Sequence, residues 1–512
     1  MALSWFDIGV FVLFVATVVG FSVSKSRREE TSEDYFLAGR GVTWWLIGFS
    51  LIAANISTEQ FVGMSGSGAG NVGLAIASYE WCAAVTLVFV AIFFLPRFLS
   101  SGIYTIPEFL EYRYNAAARA IMATSTMVIY ITVTISAVVY SGGLTIYKIF
   151  DINLVSAIWI IGIIAAFYTT FGGLKAVVWA DLIQGSALIV GGALVMFLGF
   201  RAIGGVAPFM EANADRMHMA LPAGHNELPW TALLFGIWIP NFYYWGLNQY
   251  ITQRTLAAHS LKQGQLGVIF AAFLKLLIPF IIVVPGIMAL QLYGPELRET
   301  TDAAYPVLIR NLVPGGLRGF MLAAITGAVM SSLASMLNSA STIFTMDLYK
   351  RHIRKDASNK TLIFIGRLMT VVFVVIGCLI APQLANPKFR GVFHFIQDFQ
   401  GFISPGILAA FVFGIAVKRA PAAAAITAML LNIPVYGFLH LQAFGDMAFL
   451  NKMAITFAVL IFAMTIVTLL KPLKEPKVMP IRKDIDMTPA PSVVWLGGLV
   501  IVVTICLYVI FW

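Results

Sequence analysis

Apolar runs long enough to cross a bilayer recur from one end of this chain to the other, and a helix needs only about 18–20 residues to span ~30 Å of hydrocarbon. Hydrophobic residues make up 60% of the sequence and charged ones only 11%, against roughly 25% charged in soluble domains, so this is an integral membrane protein. Backbone amides find no water inside lipid, which restricts a spanning segment to a helix or a closed barrel. The ten-residue alternation of barrel strands is missing from the sequence, leaving an all-α polytopic membrane protein. The hydrophobic pattern places helices at about 5–24, 43–68, 74–97, 118–147, 153–172, 176–201, 230–254, 264–293, 318–348, 361–382, 390–418, 419–441, 450–471 and 493–512, about fourteen in all.

An even number of spans puts both termini on one side, and the basic residues say which. Lys25, Arg27, Arg28 and Arg40, then Arg97 and Arg113, then Lys350, Arg351, Arg354, Lys355 and Lys360, then Lys418 and Arg419, and finally Lys471, Lys474, Lys477, Arg482 and Lys483 fall on one set of loops. These are 18 of the 33 Lys and Arg, and with Lys175 and Lys262 on the same side the share nears two-thirds, which marks that set as cytoplasmic and both termini as outside. The net charge of +9 is thus a topology signal spread over short loops, not a nucleic-acid patch. The first apolar run, Phe6 to Val23, carries its basic residues after it, the reverse of a signal peptide, and reads as a retained helix. Cys82, Cys378 and Cys506 sit in apolar segments without metal or redox spacing. The outside loops Ala202 to Leu228 and Gln291 to Leu317 read as caps.

Charged groups at membrane depth are expensive, roughly 2.5–3.5 kcal/mol each at the bilayer centre, and so point to function. Lys275 has about ten apolar residues on either side in VIFAAFLKLLIPFIIVVPG and is too deep to reach an interface, so it faces a polar cavity or a carboxylate. Glu80 is the expected carboxylate, paired directly or through a ligand, with a purely structural ion pair as the alternative. Asp181 in VVWADLIQG lies near a helix end and is either a functional or a solvated interfacial carboxylate. Glu59 has no evident partner.

Two segments look built to be broken: Ala53-Ala54-Asn55-Ile56-Ser57, and WIPNFYYWGLNQY with Pro240-Asn241 and Gly246. Interrupted helices in corresponding places of two halves point to a transport site, because unwound carbonyls coordinate ions and helix ends orient solute. A third segment, AVMSSLASMLNSASTIFTMD, puts Ser331, Ser332, Ser335 and Ser339 near one face, either for helix packing or as an ion site. Two neighbouring hydroxyls and the Ala328 carbonyl make three oxygen ligands on one turn, and a hard cation needs only a few more. Asn55-Ile56-Ser57 matches a glycosylation pattern only by chance at this depth.

The runs GRGVTWWLIGFSLIAANISTEQFVGMSGSG, GLAIASYEWCAA, GIYTIPEFLEYRYN, GGLKAVVWADLIQ, NFYYWGLNQYITQRTLAA, AAFLKLLIPF, SSLASMLNSASTIFTMDLYK and DFQGFISPGILA closely resemble the sodium/solute symporter family, in particular its bacterial sodium/galactose members. The resemblance extends from about residue 5 to 418. It implies the inverted-repeat fold of the leucine transporter, with five-helix halves at about 43–201 and 230–418 and peripheral helices at 5–24 and 419–512, all within a single transporter domain. It implies sodium ligands at the backbone oxygens of Ala53, Ile56 and Ala328 and the hydroxyls of Ser331 and Ser332. It also implies hexose contacts at Gln60, Glu80, Asn241, Lys275 and Gln397, with Asn55 adjoining and Tyr244 as an aromatic gate. Amides, a carboxylate and an ammonium suit the hydroxyls of a sugar, and an aromatic face suits its ring. Ala83 departs from the Ser of the galactose members.

Members that use a second sodium resemble this chain at Asp181 and Ser335 but carry a hydroxyl where Ala334 stands. The expectation is therefore one sodium per sugar, with Asp181 on the ion path, and a functional monomer in the cytoplasmic membrane with no nucleic-acid partner. Other solutes of the family, namely inositol, sialic acid, proline or a carboxylate, are the alternative, although Glu80 disfavours an anion. An enzyme is not expected: the sequence has no H-E-x-x-H, no G-x-x-x-x-G-K-[ST] and only six scattered histidines. A channel would need a repeated filter motif.

Overall fold

The computed structural model describes residues 4–25, 31–57, 59–150, 152–297, 301–385 and 392–512, and among them the regular structure is helical, with only isolated bridges such as Val42 to Ala258. In chain order the bundle comprises α1 (Trp5–Lys25), α2 (Trp44–Asn55), α3 (Gly73–Ser101), α4 (Ala116–Tyr147), α5 (Leu154–Phe167), α6 (Gly173–Ile203), α7 (Trp238–Leu247), α8 (Gln249–Leu256), α9 (Leu261–Leu297), α10 (Leu317–Ile353), α11 (Asn359–Ala385), α12 (Phe393–Gln400), α13 (Ser404–Ala416), α14 (Ala422–Phe438), α15 (Phe449–Leu470) and α16 (Val493–Ile510). Eight of these, α3, α4, α6, α9, α10, α11, α15 and α16, are long and apolar enough to span a bilayer, and the pair α12/α13, bent by 48°, makes a ninth if taken as one span. Helices α2, α5 and α14 and the Trp5–Val18 part of α1 are apolar but shorter.

Burial sorts the spans. The most apolar window of α10 is 94% buried and that of α16 only 22%, so α10 is the central post and α16 a peripheral helix. The runs expected at 153–172 and 176–201 follow one another as α5 and α6 with no loop between them, and the chain turns sharply at Gly173. Its φ of 50° and ψ of −161° lie where a side chain is strained and glycine is not. Close approach sets another contact: a Cβ on Gly286 of α9 would collide with the Ser65 carbonyl, so α9 lies directly on the segment Ser65–Ala69.

Both expected breaks concern single extended residues, and one lies elsewhere than the sequence suggested. Helix α2 ends at Asn55, Ile56 is extended (φ −78°, ψ 103°), and helical turns resume at Glu59. The second break falls at Asn248 (φ −80°, ψ 120°), between α7 and α8, and not at Pro240-Asn241. Pro240 lies just after the wide helical turns of Ala232–Gly236, and the helix runs on through it to Leu247. Asn248 instead takes the Ile251 and Thr252 amides on its main-chain oxygen, at 3.2 and 2.9 Å, and starts a new helix.

The bend between α12 and α13 is held by side chains of the neighbouring α14. Asn432 Oδ1 accepts the Gly406 N–H at 3.1 Å, and its amide donates to the carbonyls of Gly401, at 3.1 Å, and Phe402. Asp398 of α12 accepts from Tyr436 Oη and from His440 Nε2, both at 2.9 Å. That hydrogen bond lifts the His440 pKa above its ordinary 6.5, against burial and the nearby Lys452. A raised folded value means stabilisation that is complete below about pH 6.5 and lost as pH rises through the raised value. Melting temperatures in detergent should therefore fall as pH rises over that window, and His440→Gln should flatten the curve; superimposable profiles for the two proteins would refute the tether.

Candidate functional site

Between the two breaks lies a cavity of about 530 Å³ of space between atoms, its open mouth included. Asn55 and Gln60 line it from either side of the first break, Tyr79 and Glu80 from α3, and Thr134 from α4. Pro240, Asn241, Tyr244 and Trp245 contribute from α7, Tyr250 from α8, and Ile396, Gln397 and Gln400 from α12. The structure thus brings Asn55, Gln60, Glu80, Asn241, Tyr244 and Gln397 to one wall-to-wall space, although more than 300 residues separate the first from the last.

Lys275 stands behind that wall. Its ammonium donates to Glu80 Oε2 and Asn55 Oδ1 and lies 4.7 Å from the centroid of the Trp245 ring. Both ends of the Lys275–Glu80 pair are buried, at 1% and 5% side-chain exposure, so the two charges cancel locally. Asn55 uses its other end too, donating from Nδ2 to Tyr244 Oη at 3.1 Å, so one residue at the break ties the buried cation to the aromatic wall. On the same helix, one turn before Tyr244, Asn241 Nδ2 is buried with no hydrogen-bond partner among the described residues. An orphaned donor facing a cavity calls for an acceptor on a ligand.

The broken helix supplies a second site. In an unbroken helix the Ser57 N–H would bond to the Ala53 carbonyl, but here it donates to Gln60 Oε1 at 3.0 Å. The Gln60 and Phe61 amides turn to the Ser57 carbonyl, at 3.1 and 3.2 Å. The Ala53 and Ile56 oxygens are therefore left without a main-chain donor among the described residues. Facing them, Ser332 of α10 donates to the Ala54 carbonyl at 3.0 Å, and Ser331 donates to Asp181 Oδ1. Each hydroxyl spends its proton on a protein acceptor and keeps its lone pairs. Ala53, Ile56, Ala328, Ser331 and Ser332 are all fully buried, and the Ser332–Ala54 hydrogen bond sets α10 against the break, so a small cation held by such oxygens would be stripped of water. The Glu59 side chain lies outside the described residues.

Several residues at these sites were not singled out from the sequence. Tyr79 and Phe393 pack edge to face at 5.1 Å and line both the central cavity and a second one above it, so they form the partition between the two. The upper cavity opens among Glu227, Asp302, His394 and Phe449, and burial pushes the Asp302 carboxyl up to about 6. Tyr79 could have been suspected as the neighbour of Glu80, while Phe393 carries no signal of its own in a chain with 40 phenylalanines. Arg254 was overlooked because it falls at the expected end of a helix; it is fully buried and pairs with Asp181 at 2.9 Å.

Broken helices around a solute cavity and a dehydrated oxygen site define a secondary transporter. The chain belongs to the sodium:solute symporter family, whose model matches residues 35–432. It is 41% identical to the sodium/glucose cotransporter of Vibrio parahaemolyticus, over 100% of this chain and 99% of that protein. It is 35% identical to the sodium/myo-inositol cotransporter 2 of Oryctolagus cuniculus, over 85% of this chain and 69% of that one. Among solved structures, a Na+-coupled sialic acid symporter in a substrate-bound outward-open state superposes with a TM-score of 0.83 at 24% identity, covering 93% of this chain and 99% of that one, a likeness of fold.

Removing one member of the buried pair should expose how much depends on it. Lys275→Ala strands Glu80 as a buried charge at a cost of about 3–5 kcal/mol, whereas Lys275→Met with Glu80→Gln leaves none. Thermal unfolding in detergent should show a large drop for the single variant and recovery of most of it in the double; equal drops would mean that the pair carries no electrostatic load.

Proposed function

We propose that this protein is a sodium-coupled symporter that carries a sugar, a hexose such as galactose or glucose, into the cell by alternating access with one sodium per sugar. The observation that carries this reading is the shared break at Asn55–Gln60, where the same few residues free two carbonyls toward Ser331 and Ser332 and present Asn55 and Gln60 to the cavity. Solute chemistry follows from charge: with Glu80 neutralised by Lys275, the cavity presents amides, hydroxyls and aromatic faces, which suit a neutral polyol and give an anion no counter-charge. The relatedness to a sodium/glucose cotransporter supports the same solute class. A sodium/myo-inositol relative supports a cyclic polyol other than a hexose as the second reading.

In this reading Gln60, Glu80, Asn241 and Gln397 hold the sugar, Lys275 and Asn55 set the orientation of Glu80 and Tyr244, and Tyr244 gates the cytoplasmic side. Sodium, as co-substrate, takes the oxygens of Ala53, Ile56, Ala328, Ser331 and Ser332, with Asp181 next on its path inward. Ten of about fourteen spans form two five-helix halves, 43–201 and 230–418, with one helix before them and three after. The breaks at Ile56 and Asn248, each in the first helix of its half, support that division. The basic loops face the cytoplasm and both termini the outside of the cytoplasmic membrane, with lipid around a functional monomer. A gradient of 100 mV and tenfold sodium supplies roughly 3.7 kcal/mol per ion, enough for a few-hundredfold accumulation.

Uptake into proteoliposomes under imposed sodium or proton gradients, screened over hexoses, inositol, sialic acid and proline, tests the reading. We expect sodium-driven hexose uptake, its loss in Gln60→Ala, and about a tenfold higher sodium requirement in Ser332→Ala, the effect of losing one ligand worth ~1.4 kcal/mol. Intact uptake and affinity in Gln60→Ala would overturn the site, and a sodium-to-sugar flux ratio of two would overturn the stoichiometry.

A further inference from the structure

Helix α8 is polar in sequence, QYITQRTL, yet every one of its residues is buried. It follows directly on the break at Asn248 and so continues the span that carries Asn241 and Tyr244. Arg254 sits at its core with no exposed surface. Its Nη2 donates to Asp181 Oδ2 at 2.9 Å and to Ser335 Oγ, its Nε to Ser50 Oγ at 2.6 Å and the Ser50 carbonyl at 3.1 Å, and its Nη1 to the Tyr250 carbonyl. One guanidinium thereby joins α2, α6, α8 and α10.

The partners of Arg254 are also the neighbours of the cation site. Asp181 accepts Ser331 on Oδ1 and Ser50 on Oδ2, beside Arg254. Ser335, which Arg254 holds, donates back to the Ser331 carbonyl at 2.7 Å. Ser50 lies one turn before Ala53. The carboxylate of Asp181 therefore has two claimants, the resident guanidinium on one oxygen and, through Ser331, an ion in the oxygen cluster on the other.

We propose that Arg254 is a positioning residue that ties ion exit to the seating of α8. While α8 is seated, Arg254 satisfies the charge of Asp181, and an ion at Ser331 and Ser332 gains nothing by moving toward it. When α8 unseats, Arg254 leaves with it, and the uncompensated carboxylate draws the ion one step inward. The ion then exits only when the helix behind Tyr244 has moved, which couples the two releases. By linkage, an ion in the cluster weakens the hold of Asp181 on Arg254 and so favours unseating. The inference rests on the sodium-symport reading given above.

The test uses the full-length protein in proteoliposomes, with sodium entry followed by radiotracer and the sodium requirement read from solute uptake. Arg254→Gln frees Asp181 permanently, and we expect sodium entry without sugar together with a sodium requirement lowered about tenfold. Because a lone buried carboxylate can prevent folding, two further variants carry the test. Arg254→Lys keeps a charge but cannot reach Asp181, Ser50 and Ser335 together, and is expected to show a smaller leak of the same kind. Asp181→Asn with Arg254→Gln buries no net charge and is expected to abolish the leak. A wild-type sodium requirement and no sugar-independent entry in Arg254→Lys would overturn the proposal, as would a leak that persists in the double variant. If wild-type protein moved no solute with sodium, the symport reading itself would fall, and this inference with it.

Discussion

One hydrogen bond that the helix does not make, from the Ser57 amide to the Ala53 carbonyl, organises the centre of this molecule. Gln60 takes the amide, so the freed donor is satisfied inside the protein, while the freed acceptor meets no main-chain donor among the described residues. In lipid such an acceptor would be intolerable, and it is stable here because α6, α9 and α10 enclose α2. The break thus exposes uncharged backbone oxygens of the kind that can ligate a cation, and turns Asn55 and Gln60 to face the cavity instead of continuing along one stripe.

The second organising rule is local neutrality. Lys275 with Glu80, Arg254 with Asp181 and Arg119 with Asp347, the last at 2.6 Å, are each buried and each paired. Their hydrogen bonds run mainly to elements distant in sequence, so these pairs fasten helices that apolar packing alone leaves free to slide. The first of them also keeps the cavity free of net charge, since Glu80 lines it and Lys275 stands beside Glu80.

Much of this was legible from residue order alone, because the bilayer imposes its demands on every segment separately. Spans, depth of charges and the first break follow from composition within some twenty residues. Pairing of Lys275 with Glu80 was a reasoned expectation, since few buried carboxylates were on offer. What could not be read is whatever depends on local hydrogen-bond phase. Proline at 240 announces a break, yet the helix runs on through it to Leu247, and the chain opens at Asn248 instead. Arg254 looked like a helix terminus because its shielding by α2, α6 and α10 arises only in three dimensions. Phe393 and Tyr79 matter by meeting each other, and neither sequence neighbourhood hints at the encounter.

The near-complete enclosure of α10 has a consequence for biogenesis. A segment carrying Ser331, Ser332, Ser335, Asn338 and Ser339 is poorly suited to life among acyl chains, yet it leaves the ribosome before α11 to α16 exist. Its hydroxyls and amide must therefore be sheltered by the helices made earlier, above all α1, α4, α6 and α8, or wait at the insertion machinery. Assembly of the bundle is then ordered from the inside outward, with the later apolar helices closing around a post already set in place.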